Sequence, residues 1–214
     1  MESMRERFVR VTAKLLDEQK HMALVLADIG AGLFAPLGVF DRHPHRAVNV
    51  GIREQLLVSF AAGMAAEGLR PVVHTYAPFL VERAFEQIRL DIGHQGLGAI
   101  LVSVGASIDA AGAGRTHQAP EDVALLGTLP GWTVHTPGHP DEVEQVLRAA
   151  SASRAPVYVR LAEKSNPEPY GSEAVRLIAK PAEGGASLSI LAIGTTLKPV
   201  LDAAADLPAA VYYT

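Results

Sequence analysis

Glu54 is the residue in this sequence best placed to do chemistry. It stands in Asn49-Val-Gly-Ile-Arg-Glu-Gln55 and leads into Leu56-Leu-Val-Ser-Phe-Ala-Ala-Gly-Met-Ala-Ala66, a helix-length run with almost no polar residue. Glycine and asparagine punctuate the approach, so Glu54 should lie in the first turn of a helix buried on most sides. The helix dipole alone would favour a carboxylate there. Shielded from water, the same carboxylate could hold a proton or a hydrogen-bond donor. His117 closes a long small-residue loop from Val104, Asp28 follows the apolar run Ala23–Ala27, and Tyr76 and Phe79 stand in Tyr76-Ala-Pro-Phe79. Taken singly each has an ordinary role: His117 as a surface loop residue, Asp28 as a turn or cap, the aromatics as core at a strand-helix corner.

The elements that must position these residues alternate along the chain. Met4, Phe8, Val11 and Leu15 share one face of an opening helix. Short apolar runs at 23–27, 47–49, 71–75, 99–103, 132–136 and 156–161 read as strands, the first ending in Asp28-Ile-Gly-Ala-Gly32. Helical spacing falls between them over 54–66, 78–93, about 120–126 and 140–150. This alternation predicts an α/β protein, a parallel sheet with helices on both faces, built over residues 1–165. Active sites in such folds lie beyond the carboxyl ends of the strands, where Asp28, the residues after Thr75 and the 104–117 loop all fall. Residues 166–187, rich in Glu, Pro, Gly and Ser, read as a linker. Residues 188–214 read as strand, helix and strand, the start of a second α/β domain too small to bury its own faces.

Composition narrows the function classes. The 214 residues, 49% of them apolar, can bury one sizeable core and the beginning of a second. The net charge of -4 arises from interspersed signs with no basic block, which argues against nucleic acid and anionic membrane surfaces. Without cysteine there are no disulfides, thiolate metal sites or cysteine nucleophiles. The first twenty residues lack the apolar segment of a secretion signal, and no run approaches the roughly 18 apolar residues that span a bilayer. A cytoplasmic protein is expected.

Several motifs together resemble one family. Gly51-Ile-Arg-Glu-Gln55 looks like the Gly-x-x-Glu-His/Gln motif of the transketolase family of thiamine diphosphate enzymes, whose Glu touches the cofactor's aminopyrimidine ring. Tyr76-Ala-Pro-Phe79, followed by Arg83-Ala-Phe-Glu-Gln-Ile-Arg89, resembles the aromatic segment that packs on that ring. Gly114-Arg-Thr-His-Gln118 is similar to the family's Gly-x-Thr-His motif, whose His faces the ketose skeleton. Asp28 resembles the Asp that lies close to the thiazolium. The resemblance covers about residues 5–165, the family's pyrimidine-binding domain, and the tail resembles only the opening of its third domain.

This resemblance implies a subunit that transfers a two-carbon ketol unit between small sugars, with Glu54 and His117 catalytic and Asp28, Glu54, Tyr76 and Phe79 against thiamine diphosphate. The family's Gly-Asp-Gly...Asn device for Mg²⁺ and diphosphate is absent, and no oxygen-ligand cluster replaces it, so no metal residues are assigned on this chain. Both groups would be held by a separate diphosphate-binding subunit, in a heterotetramer with a homodimer contact. Three positions depart from the family: Gly105 for a His, Ala113 for an Asp, and Glu163 for an Arg that grips sugar phosphate. Arg115, Arg160 or Lys164 could supply that cation instead, alongside His117 on the substrate. Two readings stand: an enzyme subunit, with 1-deoxyxylulose-5-phosphate synthase or 2-oxoacid dehydrogenase chemistry as variants, or a non-catalytic homologue with an assembly or regulatory role.

Overall fold

The computed structural model describes residues 2–171, 175–181 and 185–214. Six parallel strands form the main sheet: β1 (Met22–Leu26), β2 (Ala47–Asn49), β3 (Arg70–Tyr76), β4 (Ile100–Val104), β5 (Thr133–His135) and β6 (Val157–Arg160), in the order β2-β1-β3-β4-β6-β5. Their side chains alternate between two cores. Met22, Leu24, Leu26, Val72, Ile100, Val102 and Val159 face one side, and Val25, Val73, Leu101 and Tyr158 the other. Both faces are apolar because both are covered, which is why these strands read as continuous hydrophobic runs.

Helix α1 (Met4–Glu18) starts in a capping box, Ser3 and Glu6 satisfying each other's backbone N–H groups, and buries Met4, Phe8, Val11 and Leu15. Short turns α2 (Ala31–Phe34) and α3 (Val39–Arg42) follow β1, and α4 (Glu54–Ala66) follows β2. Turn α5 (Phe85–Gln87) is flanked by π-helical segments Pro78–Glu82 and Ile88–His94, and α6 (Asp122–Gly127) and α7 (Pro140–Ala152) complete the layer. Helices α1 and α7 cover one face; α4, the π-helical segments and α6 cover the other. Among the described residues no helix is long and apolar enough to cross a membrane.

Two expectations change. Helix α4 is apolar nearly all round, yet this chain buries only Glu54, Leu57, Val58, Ala61 and Ala62, leaving Leu56 and Phe60 exposed beside Ile52. The stretch read as a linker contains a strand, β7 (Arg176–Ala179), which pairs antiparallel with β9 (Ala209–Tyr213) while β8 (Leu188–Ala192) pairs parallel with β9's other edge. Residues 172–174 and 182–184 of that stretch lie outside the described residues. The small sheet, with α8 (Leu197–Ala204), docks on α7 through Glu142. That buried carboxylate accepts the N–H groups of Gly138 (2.8 Å), Tyr170 (2.7 Å) and Gly171 (3.1 Å) and the hydroxyl of Tyr213 (2.7 Å).

At the centre of β3, His74 is wholly buried against Phe8, ring centroids 4.6 Å apart. Its Nδ1 donates to Val102 O (2.9 Å), and its Nε2 has no partner among the described residues. The turn after β1 closes over it: a Cβ on Gly30 would lie 2.8 Å from the imidazole, and φ there is +90°, so glycine is required twice over. Burial first, then the charge of Arg5, push the His74 pKa from 6.5 down to about 3. Above pH 6.5 the ring is neutral folded or unfolded. Between pH 6.5 and about 3 only the unfolded chain takes the proton, so this residue's contribution to stability is lost as the pH drops, by up to about 1.4 kcal/mol per unit. Urea denaturation at pH 7 and pH 5 checks this: His74→Leu should flatten the pH slope by about one proton. A folded-state His74 resonance titrating near 6.5 would contradict it.

Candidate active site

Glu54 is the first residue of α4 and only 1% exposed. The turn before it is fixed by Asn49, whose Oδ1 accepts the N–H groups of Asp28 (2.9 Å) and Gly51 (3.1 Å) and whose amide donates to Asp28 Oδ1 (3.1 Å). Asp28 itself is exposed and held at φ 68°, a conformation that Asp tolerates through such local bonds. It thus clasps the ends of β1 and β2 immediately before Glu54.

Among the described residues the Glu54 carboxylate has one partner. Arg83 Nη1 donates to Oε2 at 2.7 Å, while Oε1 is buried with no hydrogen bond among the described residues. The Arg83 guanidinium carbon also lies 4.2 Å over the Phe79 ring, and Gln55 Nε2 donates to the Arg83 carbonyl (3.2 Å). Phe79, Tyr76 and His117 form an edge-to-face cluster, with centroids 6.1 Å (Tyr76–Phe79), 5.3 Å (Tyr76–His117) and 5.0 Å (Phe79–His117) apart. His117 is half-buried, and its Nδ1 lies 3.0 Å from Thr116 Oγ1. Glu54, Phe79, Tyr76 and His117 are therefore linked at the carboxyl end of β3 through Arg83. A buried acceptor, aromatic surface and an imidazole thus lie close together there.

Gly105 has a structural reason. Its φ is +69°, and a Cβ would lie 2.5 Å from the Tyr76 ring and 3.2 Å from His117 O. Tyr76 fills the space a side chain would need.

Two of the three candidate cations are already held in ion pairs. Arg160 Nε donates to the buried Asp122 at 2.8 Å. Asp122 also accepts the Tyr158 hydroxyl (2.7 Å), leaving Ser103 Oγ to donate to Tyr158. Burial, then the Asp122 charge, hold the Tyr158 pKa well above its usual 10. Arg115 is exposed and bound to Glu121 (3.0 Å) and Gln118 O (3.1 Å). Lys164 is exposed and in no ion pair among the described residues, next to the exposed Glu163, whose N–H donates to Asp109 (3.0 Å). No group of three or more His, Asp or Glu among the described residues could hold a metal ion.

Sequence reading missed Arg83 and Asp122. Arg83 lay inside a quoted motif, and its one available signal was a cation near an aromatic; Asp122 gave none.

Residues 2–168 match the pyrimidine-binding domain of transketolase. The chain belongs to the transketolase family, a family of thiamine diphosphate-dependent transferases. Among its relatives is a 33.6 kDa protein of the fasciation locus of Rhodococcoides fascians, 41% identical over 92% of this chain and 62% of that protein. The 1-deoxy-D-xylulose-5-phosphate synthase of Magnetococcus marinus is 34% identical over 94% of this chain and 32% of that enzyme. In three dimensions the chain superposes on a split-gene transketolase, an inactive beta4 tetramer, with TM-score 0.80 and 28% identity over 99% of this chain and 70% of that one. The chain spans about three fifths of the length of the first two curated relatives it matches.

The Glu54–Arg83 pair generates a stability prediction. Arg83→Ala leaves a buried carboxylate with no counter-charge, at a cost of about 2 kcal/mol, less than for a fully buried pair because Arg83 is partly exposed. Adding Glu54→Gln should recover part of that loss. A double-mutant cycle read by urea denaturation checks it, and strictly additive effects would contradict the pairing.

Proposed function

We propose that this chain is the pyrimidine-binding subunit of a thiamine diphosphate-dependent, transketolase-like enzyme that moves a two-carbon ketol unit between sugars. The observation that carries the reading is the buried, unpaired Glu54 Oε1 beside the Phe79 cluster. A flat ring with a hydrogen-bonding nitrogen on its edge fits that pair, so the residues suit the aminopyrimidine end of the cofactor. Among the described residues no group of three or more His, Asp or Glu could hold the Mg²⁺ that accompanies the diphosphate. A partner chain would hold the diphosphate and Mg²⁺. The split-gene transketolase whose beta4 tetramer is inactive supports that division of labour. So does the apolar stripe of Ile52, Leu56 and Phe60, which suits a subunit interface.

Bound thiamine diphosphate supplies the carbon nucleophile and the electron sink. The chain's own residues do the rest. Glu54 accepts a hydrogen bond at Oε1 and stabilises the proton shared there; burial keeps water from competing for that bond. Phe79 and Tyr76 give the ring an apolar bed. Asp28 holds the turn that sets Glu54's position. His117 presents an imidazole to substrate hydroxyls and can carry a proton. Arg160, committed to Asp122, and Arg115, committed to Glu121, are poorly placed to hold a phosphate, so Lys164 is the cation left for that end. The 34–37% identical 1-deoxy-D-xylulose-5-phosphate synthases support a second reading within the class, with that chemistry in place of ketol exchange.

Glu54→Ala should leave folding intact while lowering carbon-carbon bond transfer by at least a hundredfold, assayed with partner, thiamine diphosphate and Mg²⁺ (a loss of about 2.7 kcal/mol or more). Near wild-type turnover would remove Glu54 from the chemistry.

A further inference from the structure

At the end of the sheet opposite Glu54, a cavity of about 440 Å³ opens among His21, Arg70, Ser151, Arg154 and the turn at 96–98. Arg70, the first residue of β3, is 4% exposed. Its Nε donates to Ala150 O (3.1 Å), while Nη1 and Nη2 are buried with no hydrogen-bond partner among the described residues. No carboxylate lines the cavity. Consistent with that, burial is the sole cause lowering the Arg70 pKa, to about 10.

A guanidinium held this way is expensive, because a buried charge requires either a counter-charge or a full set of acceptors. The fold shows how it treats a purely structural arginine nearby. Arg46 spends its terminal nitrogens on the carbonyls of Leu16, Gln19 and Met22 and on His43 Nδ1. Arg70 has one carbonyl, at Nε. Gly98 brings backbone close to the group: a Cβ there would lie 2.7 Å from Arg70 Nη1 and 1.8 Å from Arg154 O.

We propose that this cavity binds a small phosphate-type oxyanion with Arg70 as its counter-ion. The planar fork of a guanidinium matches two oxygens of a tetrahedral oxyanion, and Arg154 adds a second cation to the walls. β3 runs from Arg70 here to Tyr76 at the candidate active site, about 20 Å along the strand. A ligand here therefore does not compete with substrate, and the proposal does not rest on the transferase reading.

The test titrates inorganic phosphate and, as an ester, phenyl phosphate into the isolated chain, with chloride matched for ionic strength. Phosphate at ten times its dissociation constant should raise the melting temperature by about 3 °C over chloride. In the same titration the Arg70 Nε–H resonance and the amides of residues 96–98 should shift saturably. A stronger response to phenyl phosphate would indicate an esterified ligand, an equal one the free ion. Arg70→Met should abolish the response; should that variant fail to fold, the wild-type spectra decide alone. No rise beyond chloride, or shifts centred on His117, would overturn the proposal.

Discussion

The arrangement around the candidate site depends on one constraint: a carboxylate taken out of water at the start of an apolar helix. Desolvation of Glu54 must be offset, and the helix amino terminus does so only in part. Arg83 supplies the rest, and in doing so lies across Phe79, which contacts Tyr76 and His117. One electrostatic requirement thereby ties α4, the π-helical turn at 78–82 and the loop after β4 into a single cluster. Glu54 Oε1 is left without a hydrogen-bond partner among the described residues.

The substrate side follows a different logic. Carboxylates on this chain occupy two of the three cations that could have met a phosphate, Asp122 taking Arg160 and Glu121 taking Arg115. Tyr76 excludes any side chain at Gly105. On the proposed reading, the residue types that match the family's lie toward the cofactor, and those that depart from it lie toward substrate. A shared cofactor with an altered substrate would leave this pattern.

Much of the fold was legible because local chemistry and burial agree. Runs such as Ala99–Ser103 are apolar on both faces, bounded by glycine or proline, and have no other stable home than a covered parallel strand. That Glu54, Phe79 and His117 gather at one end of the sheet was legible because their motifs are local in sequence and follow strands or strand-end loops. Strand β7 was not, since Leu177 is half-exposed and the strand exists only through pairing with β9, more than thirty residues on. The Arg160–Asp122 pair spans 38 residues and needed the β4–β6 neighbourhood to appear. Arg83 directly follows a π-helical turn, a geometry that a 3.6-residue period does not anticipate. Gly105 was visible as a departure, but its cause required the Tyr76–Val104 register of β3 against β4.

We propose that this chain carries the ring-binding half of a cofactor site and that a partner holds the diphosphate half. Calorimetric titration of thiamine diphosphate with Mg²⁺ into the purified chain, alone and with a diphosphate-binding partner, tests it most directly. The account predicts weak or undetectable binding alone and stoichiometric binding with the partner, abolished by Glu54→Ala combined with Phe79→Ala. Tight stoichiometric binding by the isolated chain would contradict it.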